Sequence, residues 1–475
     1  MKQAYDYEVI IIGAGISGLV CGCYLAKSGL KVAVIEQHSL PGGYCTSFQR
    51  KGYKFDSSVH YIGGIRKGVL SNVLDDLEIK NEITFKQCDP ADKIILPDST
   101  VSIRANPYDT ISEFQKSFPE EKANVENYFR FLIESNITKI HRETSGKTFE
   151  QLLSHFFISD DIKASIAVLL LGNMGLPPSK IPAFTSAVFC REFLLDPGYY
   201  PQGGMQEFTD SLVKKLKQYG GELMLSTKVS KIFTADNRAA GVSVDSARKL
   251  NSKFVVSSID ATQTFKSLID IKTKESVVVD KLMPSNSVFA VYLGLKADLS
   301  AFLNGGCNTW LVSTKDMEGS YFNLSKNIAG SNIPLAMLFS PSAKDVSASK
   351  YKPTMQIFTI ATYQDHDFWV KNRDLIADKM LSLAERAIPK IREHIELMIT
   401  ATPFTFSRYT LNKNGAAFGW ASTIEQTATS VFPQVTSIKN LLLAGHWSIM
   451  GAGQGGISTV ALSGRKAAEY ITNYS

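Results

Sequence analysis

The feature that most constrains this chain is the order of residues 7–36: an apolar, β-branched run YEVIII, then GAGISG, then a segment of small and apolar residues, then KVAVIE. The pattern predicts a buried strand over 7–12, a glycine turn, a helix over 19–28 ended by Gly29, and a second strand over 31–36. Each residue of the turn has a task in that order. Gly13 permits the tight turn, Gly15 lets backbone N–H groups approach a pyrophosphate, and Gly18 lets helix and strand pack closely. The helix start, with Ala14, Ile16 and Ser17 around it, then faces the phosphates. Glu36, with Gln37 beside it, ends the second strand, where a carboxylate accepts hydrogen bonds from ribose hydroxyls and repels a 2′-phosphate. GxGxxG alone is weak evidence. A strand before it, a helix after it and an acid closing the next strand make it a dinucleotide site.

At 475 residues and 44% hydrophobic content, the chain can bury a large core and divide into two or three domains. Fifty-one Lys and Arg against 45 Asp and Glu leave +6, with no long basic run, so nucleic acid is not an expected partner. That mild excess suits an anionic membrane face or an ordinary solvated surface. Six cysteines without CxxC spacing read as reduced thiols, and seven histidines without HExxH spacing give no metal site. Met1 runs into the first strand without a leader, and no apolar stretch is long enough to span a bilayer. The expected location is therefore cytoplasmic, with peripheral membrane contact left open. No GxSxG elbow is present, which sets a serine hydrolase aside.

Three further stretches carry a resemblance: PGGYCTSF at 41–48, KFDSSVHYIGG at 54–64 and TPFTFSRYTLNKNGAAFGW at 402–420. With the acid-terminated second strand they resemble the superfamily of amine oxidases, phytoene desaturases and Rab GDP-dissociation inhibitors, and most of all prolycopene isomerase and retinol saturase, over the whole chain. The resemblance implies an α/β fold: a Rossmann-type FAD-binding domain, glutathione-reductase-like and of the amine oxidase and phytoene desaturase type, with an α+β substrate-binding domain. It implies FAD as cofactor, held also by Gly42, Gly43, His60 and Tyr61, and by Val229, whose backbone would meet the adenine. Around the flavin it places Gly445, His446, Gly453, Gln454, Gly455, Gly456 and Ile457. The last of these opens a predicted helix with a small-residue face of Ala461, Gly464 and Ala468, whose N-terminus would favour negative charge on the flavin. Where many relatives have Gly-Asp, this chain has Gly445-His446, so the ribitol lacks its acid.

The FAD-binding domain is expected from three separated stretches, 1–82, 201–279 and 401–475, with the substrate-binding domain in 83–200 and 280–400. The strongly apolar segment 156–195 reads either as a lipid-facing rim or as a pair of core helices. No second strand-GxGxxG-helix unit occurs, so no NADPH domain is expected and the electron donor or acceptor stays unnamed. His60, the candidate catalytic residue, could hold substrate or move a proton, or simply shape its loop. Arg408 and Tyr409 either line the substrate cavity or cap a strand, and Cys45 is a structural thiol. The expected activity is that of an FAD-dependent oxidoreductase acting on carbon-carbon bonds of a long apolar substrate, a carotenoid, isoprenoid or lipid chain, by desaturation, saturation or cis-trans isomerisation. The alternatives are an FAD-dependent amine oxidase and, from another class, a GDP-dissociation-inhibitor-like lipid-binding protein, against which the intact GAGISG and Glu36 argue.

Overall fold

Alternation along the first strand decides the architecture. In the computed structural model, which describes residues 5–245, 248–303, 306–345, 351–428, 432–448 and 456–474, β1 (Tyr7–Ile12) sends Val9 and Ile11 into one apolar cluster and Ile10 and Ile12 into another. β2 (Val32–Ile35) splits in the same way. A sheet that is apolar on both faces must be covered on both, which is the condition of a parallel sheet. β1 runs parallel between β2 and β3 (Arg248–Ser257), with Ile12 opposite both Ile35 and Ser257. Beyond β2 lies Glu222–Met224, and beyond the end of β3 lies Leu441–Leu443, both parallel.

β3 is longer than the buried stretch that its apolar residues suggest. Its first half pairs antiparallel with Arg238–Val244, which in turn pairs with Val229–Ala235, and its second half enters the parallel sheet. One strand thus joins a solvent-facing hairpin to the interior.

Helix α1 (Ile16–Lys27) covers one face of this sheet. It is itself covered by the C-terminal helix, Ile457–Tyr474. At Gly464 a Cβ would fall 2.3 Å from the Ser17 carbonyl oxygen, so glycine there allows the two backbones to touch. The small-residue face read from the sequence is this contact.

The second seven-stranded sheet has the spatial order Ile395–Ala401, Ser287–Leu295, Thr354–Ala361, Leu335–Phe339, Asn308–Val312, Asp92–Ile95, Thr100–Ile103. Only the pair 308–312 and 92–95 is parallel. Helices α2 (Asp160–Met174) and α3 (Ala183–Leu195) share its apolar cluster. Every residue from 164 to 171 of α2 is buried, so no side of that helix is left for lipid. For α2 the core-helix reading of 156–195 holds, because a helix apolar all round belongs inside a core; elsewhere in the segment Ile158 is exposed and Phe156, Phe184, Phe189 and Phe193 are partly buried. Among the described residues no helix is long and apolar enough to cross a membrane, and no group of His, Cys, Asp and Glu could hold a metal ion.

Candidate active site

The glycine turn has the shape its sequence requires. Gly13 has φ +96°, and at Gly18 a Cβ would lie 2.1 Å from the Gly13 carbonyl oxygen. Gly15 faces open space, with nothing within 4 Å of a built Cβ. The first N–H groups of α1 have no partner within the helix, and the buried Ser17 hydroxyl has no hydrogen-bond partner. Glu36 is held across the mouth of the turn, accepting from the Ala14 N–H at 2.9 Å and the His38 N–H at 3.0 Å. The Thr227 N–H donates to the Glu36 carbonyl at 2.9 Å, which brings the segment leading to the buried Val229 to the same end. Gly42 and Gly43, both with positive φ, stack on the turn: the Gly42 N–H donates to the Ala14 carbonyl at 2.8 Å, and a Cβ on Gly43 would sit 3.5 Å from the Gly15 Cα. An open glycine turn, the positive end of a helix, an orphaned hydroxyl and a nearby carboxylate together fit a dinucleotide.

A cavity of about 190 Å³ lies between the two sheets, walled by Tyr44, His60, Tyr61, Gly456 and Ile457 on one side and by Asn173, Phe189, Trp310, Met337 and Phe358 on the other. Its described lining contains no Asp, Glu, Lys or Arg. At Gly172 a Cβ would lie 2.1 Å from the Trp310 ring, so glycine there lets the indole close against α2 and complete the wall.

Behind the wall sits a buried polar network. Asp92 accepts from the Trp310 indole N–H at 2.7 Å, the Tyr61 hydroxyl at 2.8 Å and the Asn308 amide at 3.2 Å. Lys344, also fully buried, donates to the Asn308 side-chain oxygen at 2.7 Å and to the His60 carbonyl at 2.9 Å. Burial pushes the Asp92 carboxyl up and the Lys344 ammonium down. An ammonium can only donate, so Asn308 must turn its oxygen to Lys344 and its NH₂ to Asp92 and to Nδ1 of His60, 3.0 Å away. Nδ1 of His60 is therefore an acceptor, and its proton is on Nε2. The Asn173 NH₂ is used on the Leu169 carbonyl at 2.7 Å, which leaves its oxygen for the hydrogen bond with His60. Burial and the nearby Lys344 lower His60 to about 3.

His60 therefore walls the cavity and is anchored through Asn308, and its lowered value leaves the imidazole neutral near pH 7, the form that accepts a proton. Tyr61 spends its hydroxyl on Asp92. The expected places of Arg408 and Tyr409 are corrected. They sit on the helix Pro403–Thr410, which turns Phe406 inward and these two outward. Neither lines the cavity; the Tyr409 carbonyl instead bonds His38 at 2.7 Å, at the rim near Glu36. Gln37 is half-buried beside that rim. Gly445, with φ +93°, donates its N–H to Ser463 at 3.0 Å and lies against Ser17. His446 packs beside Tyr44 and Trp447, and burial lowers it to about 4. Gly453, Gln454 and Gly455 lie outside the described residues, whereas Gly456 and Ile457 line the cavity. Cys45 is buried, and burial pushes its thiol up.

Two neutral, partly buried histidines have a consequence for stability. The unfolded chain binds a proton at each below about pH 6.5, and the folded protein does not until pH is near the lowered values. Folded stability should therefore fall on acidification, by about 1–2 kcal/mol per histidine between about pH 7 and pH 5. Thermal melts across that range test this, with His446→Asn expected to flatten the slope; an unchanged slope would contradict it.

Fold and site define a dinucleotide-binding oxidoreductase with an apolar cavity beside its cofactor cradle. Residues 16–472 match the family described as flavin containing amine oxidoreductase; the chain belongs to that family, is an FAD-dependent oxidoreductase, and takes FAD as its cofactor. Among curated relatives, the all-trans-retinol 13,14-reductase of Danio rerio is 24% identical over 520 residues, covering 96% of this chain and 85% of that protein. The chloroplastic prolycopene isomerase 2 of an Oncidium hybrid cultivar is 26% identical over 519 residues, covering 99% and 84%. A crystal structure of an oxidoreductase from Methanosarcina mazei has the same fold, with a TM-score of 0.71 at 16% identity over 97% of this chain and 99% of that one.

Proposed function

We propose that this enzyme acts on the carbon-carbon bonds of a long apolar polyene or isoprenoid chain. The observation that carries the reading is the cavity: it adjoins the cofactor cradle and offers aromatic and aliphatic wall without one charged side chain among its described lining. A cationic amine would be desolvated there with no carboxylate to meet it, which disfavours the amine oxidase alternative. An uncharged hydrocarbon has no such cost. The names of the retinol reductase and prolycopene isomerase relatives support the same substrate class.

In this reading the turn Gly13–Ala14–Gly15–Ile16–Ser17–Gly18 with Gly42 and Gly43 holds the pyrophosphate, Glu36 the adenosine ribose and Val229 the adenine. His60, Tyr61, Gly445, His446, Gly456 and Ile457 surround the flavin end. Bound FAD supplies hydride exchange with the substrate. Trp310, Met337 and Phe358 exclude water and hold the chain in place, while the neutral His60 adds no charge to an apolar site. A substrate of this kind partitions into bilayers, so the reading includes contact with a membrane surface, which flotation with anionic vesicles would detect.

The test is anaerobic titration of the FAD-loaded protein with all-trans-retinol and with cis and trans polyenes. The titration is run on the oxidised flavin and again after reduction with dithionite: bleaching with a desaturated product from the first, or a reduced or isomerised product from the second, is the expected result. Hydrogen peroxide released from putrescine, with polyenes inert, would overturn it.

A further inference from the structure

A second, smaller void lies behind the wall of the cavity. On α2, Asn173 borders the cavity, while Leu169 and Ile166 border the second void, of about 20 Å³. Positions 166, 169 and 173 share one face of a helix, so a single stripe of α2 runs from one void to the other. On α3, Phe189 lines both voids, and Phe193 and Leu194 line the second. Among the described residues, Phe189 is the one side chain common to the two linings. Its ring is only half-buried and stacks on Phe193 at 5.9 Å, as a movable partition between them would. The wall of the inner pouch is apolar apart from Tyr128 and Cys190, with Phe114, Phe129 and Leu132 closing it.

We propose that this pouch receives the far end of the hydrocarbon chain and that Phe189 is the residue that sets which chain length fits. The inference rests on the substrate class proposed above and adds a direction and a measure to it: the reacting bond lies beside the cofactor cradle, and the chain runs from there between α2 and α3. The occupant of the pouch is an apolar end or one carrying a lone hydroxyl, since a carboxylate would be buried there without a cation, and Tyr128 offers the one hydroxyl among the described lining.

The probe is a homologous series of all-trans polyprenyl hydrocarbons added to the FAD-loaded protein, with binding read from quenching of tryptophan emission, because Trp310 forms part of the cavity wall. Opening the partition with Phe189→Leu or Phe189→Ala should tighten the longest chains relative to the shortest by about tenfold, the equivalent of burying a methylene or two more. Filling the pouch with Leu194→Phe should shift preference the other way. FAD content and a thermal melt establish that each variant is folded. Length preference unchanged in both folded variants overturns the pouch and leaves the substrate class standing. If no chain of any length quenches the parent protein, the substrate class fails and the pouch fails with it.

Discussion

Gly15→Ala should lose FAD while leaving the apoprotein's stability intact, and Gly18→Ala should lose FAD and destabilise the apoprotein as well. The two glycines stand three residues apart in one turn, and the space around them separates their roles. At Gly18 a Cβ would lie 2.1 Å from the backbone oxygen of Gly13 and 2.7 Å from the Ser258 hydroxyl, which itself donates to that oxygen at 2.9 Å. Backbone cannot yield cheaply, so α1 must move off β1, at a cost of about 1–3 kcal/mol for overpacking, and the phosphate-facing helix start moves with it. Gly15 has φ −69°, a conformation that alanine adopts freely, and its Cβ would meet nothing within 4 Å. The apoprotein of Gly15→Ala should therefore melt within about 0.5 kcal/mol of the parent. The added methyl would occupy room that the pyrophosphate needs. The ratio of FAD to protein after desalting, set beside the melting of the apoproteins, decides the matter. If Gly15→Ala retains a full complement of FAD, the open turn is not where the phosphates lie.

That contrast also shows how far the sequence can be read. The dinucleotide cradle was legible because its requirements are local: a strand, a glycine turn, a helix and an acid within thirty or so residues, each fixed by backbone geometry. The resemblance over residues 41–64 and 402–420 extended it to the flavin end. The cavity was not legible in this way. Asp92, Asn308 and Lys344 come from two adjacent strands of the second sheet and a turn far along the chain, and nothing in their spacing marks them as neighbours. Asn173 and Phe189 sit in helices whose apolar composition says only that they are buried, which is why segment 156–195 admitted a lipid-facing reading until its packing was seen. For Arg408 and Tyr409 the sequence left open lining the cavity or capping a strand, and their helical phase, with Phe406 inward, puts them outside the cavity. For His60 nothing in the sequence showed its surroundings: it is lowered by burial and by Lys344, a residue more than two hundred positions away in sequence.

Lys344 provides the second large effect. Replacing it with methionine removes the donor to the His60 carbonyl and to Asn308 and leaves the fully buried Asp92 with no compensating cation, since Lys344 is the one cation that lowers Asp92 among its principal influences. Breaking one side of a buried charge pair costs about 3–5 kcal/mol, more than the pair contributes, because the remaining charge stays desolvated. Asp92→Asn should also be destabilising, and less so, because it removes one of the two carboxylates, Asp92 and Asp56, that support the Lys344 charge. The double variant keeps the region neutral and should unfold with a penalty about 1–3 kcal/mol smaller than the sum of the two. Urea unfolding of the four apoproteins measures that coupling. Strict additivity would mean that the two charges do not sense each other across Asn308. A substantial coupling would show that the charges behind the cavity are balanced as a unit. That balance explains how an uncharged pocket can sit directly on a buried lysine and aspartate: the bonds through Asn308, Tyr61 and Trp310 hold both charges behind the wall, and neither residue lines the space that the substrate would fill.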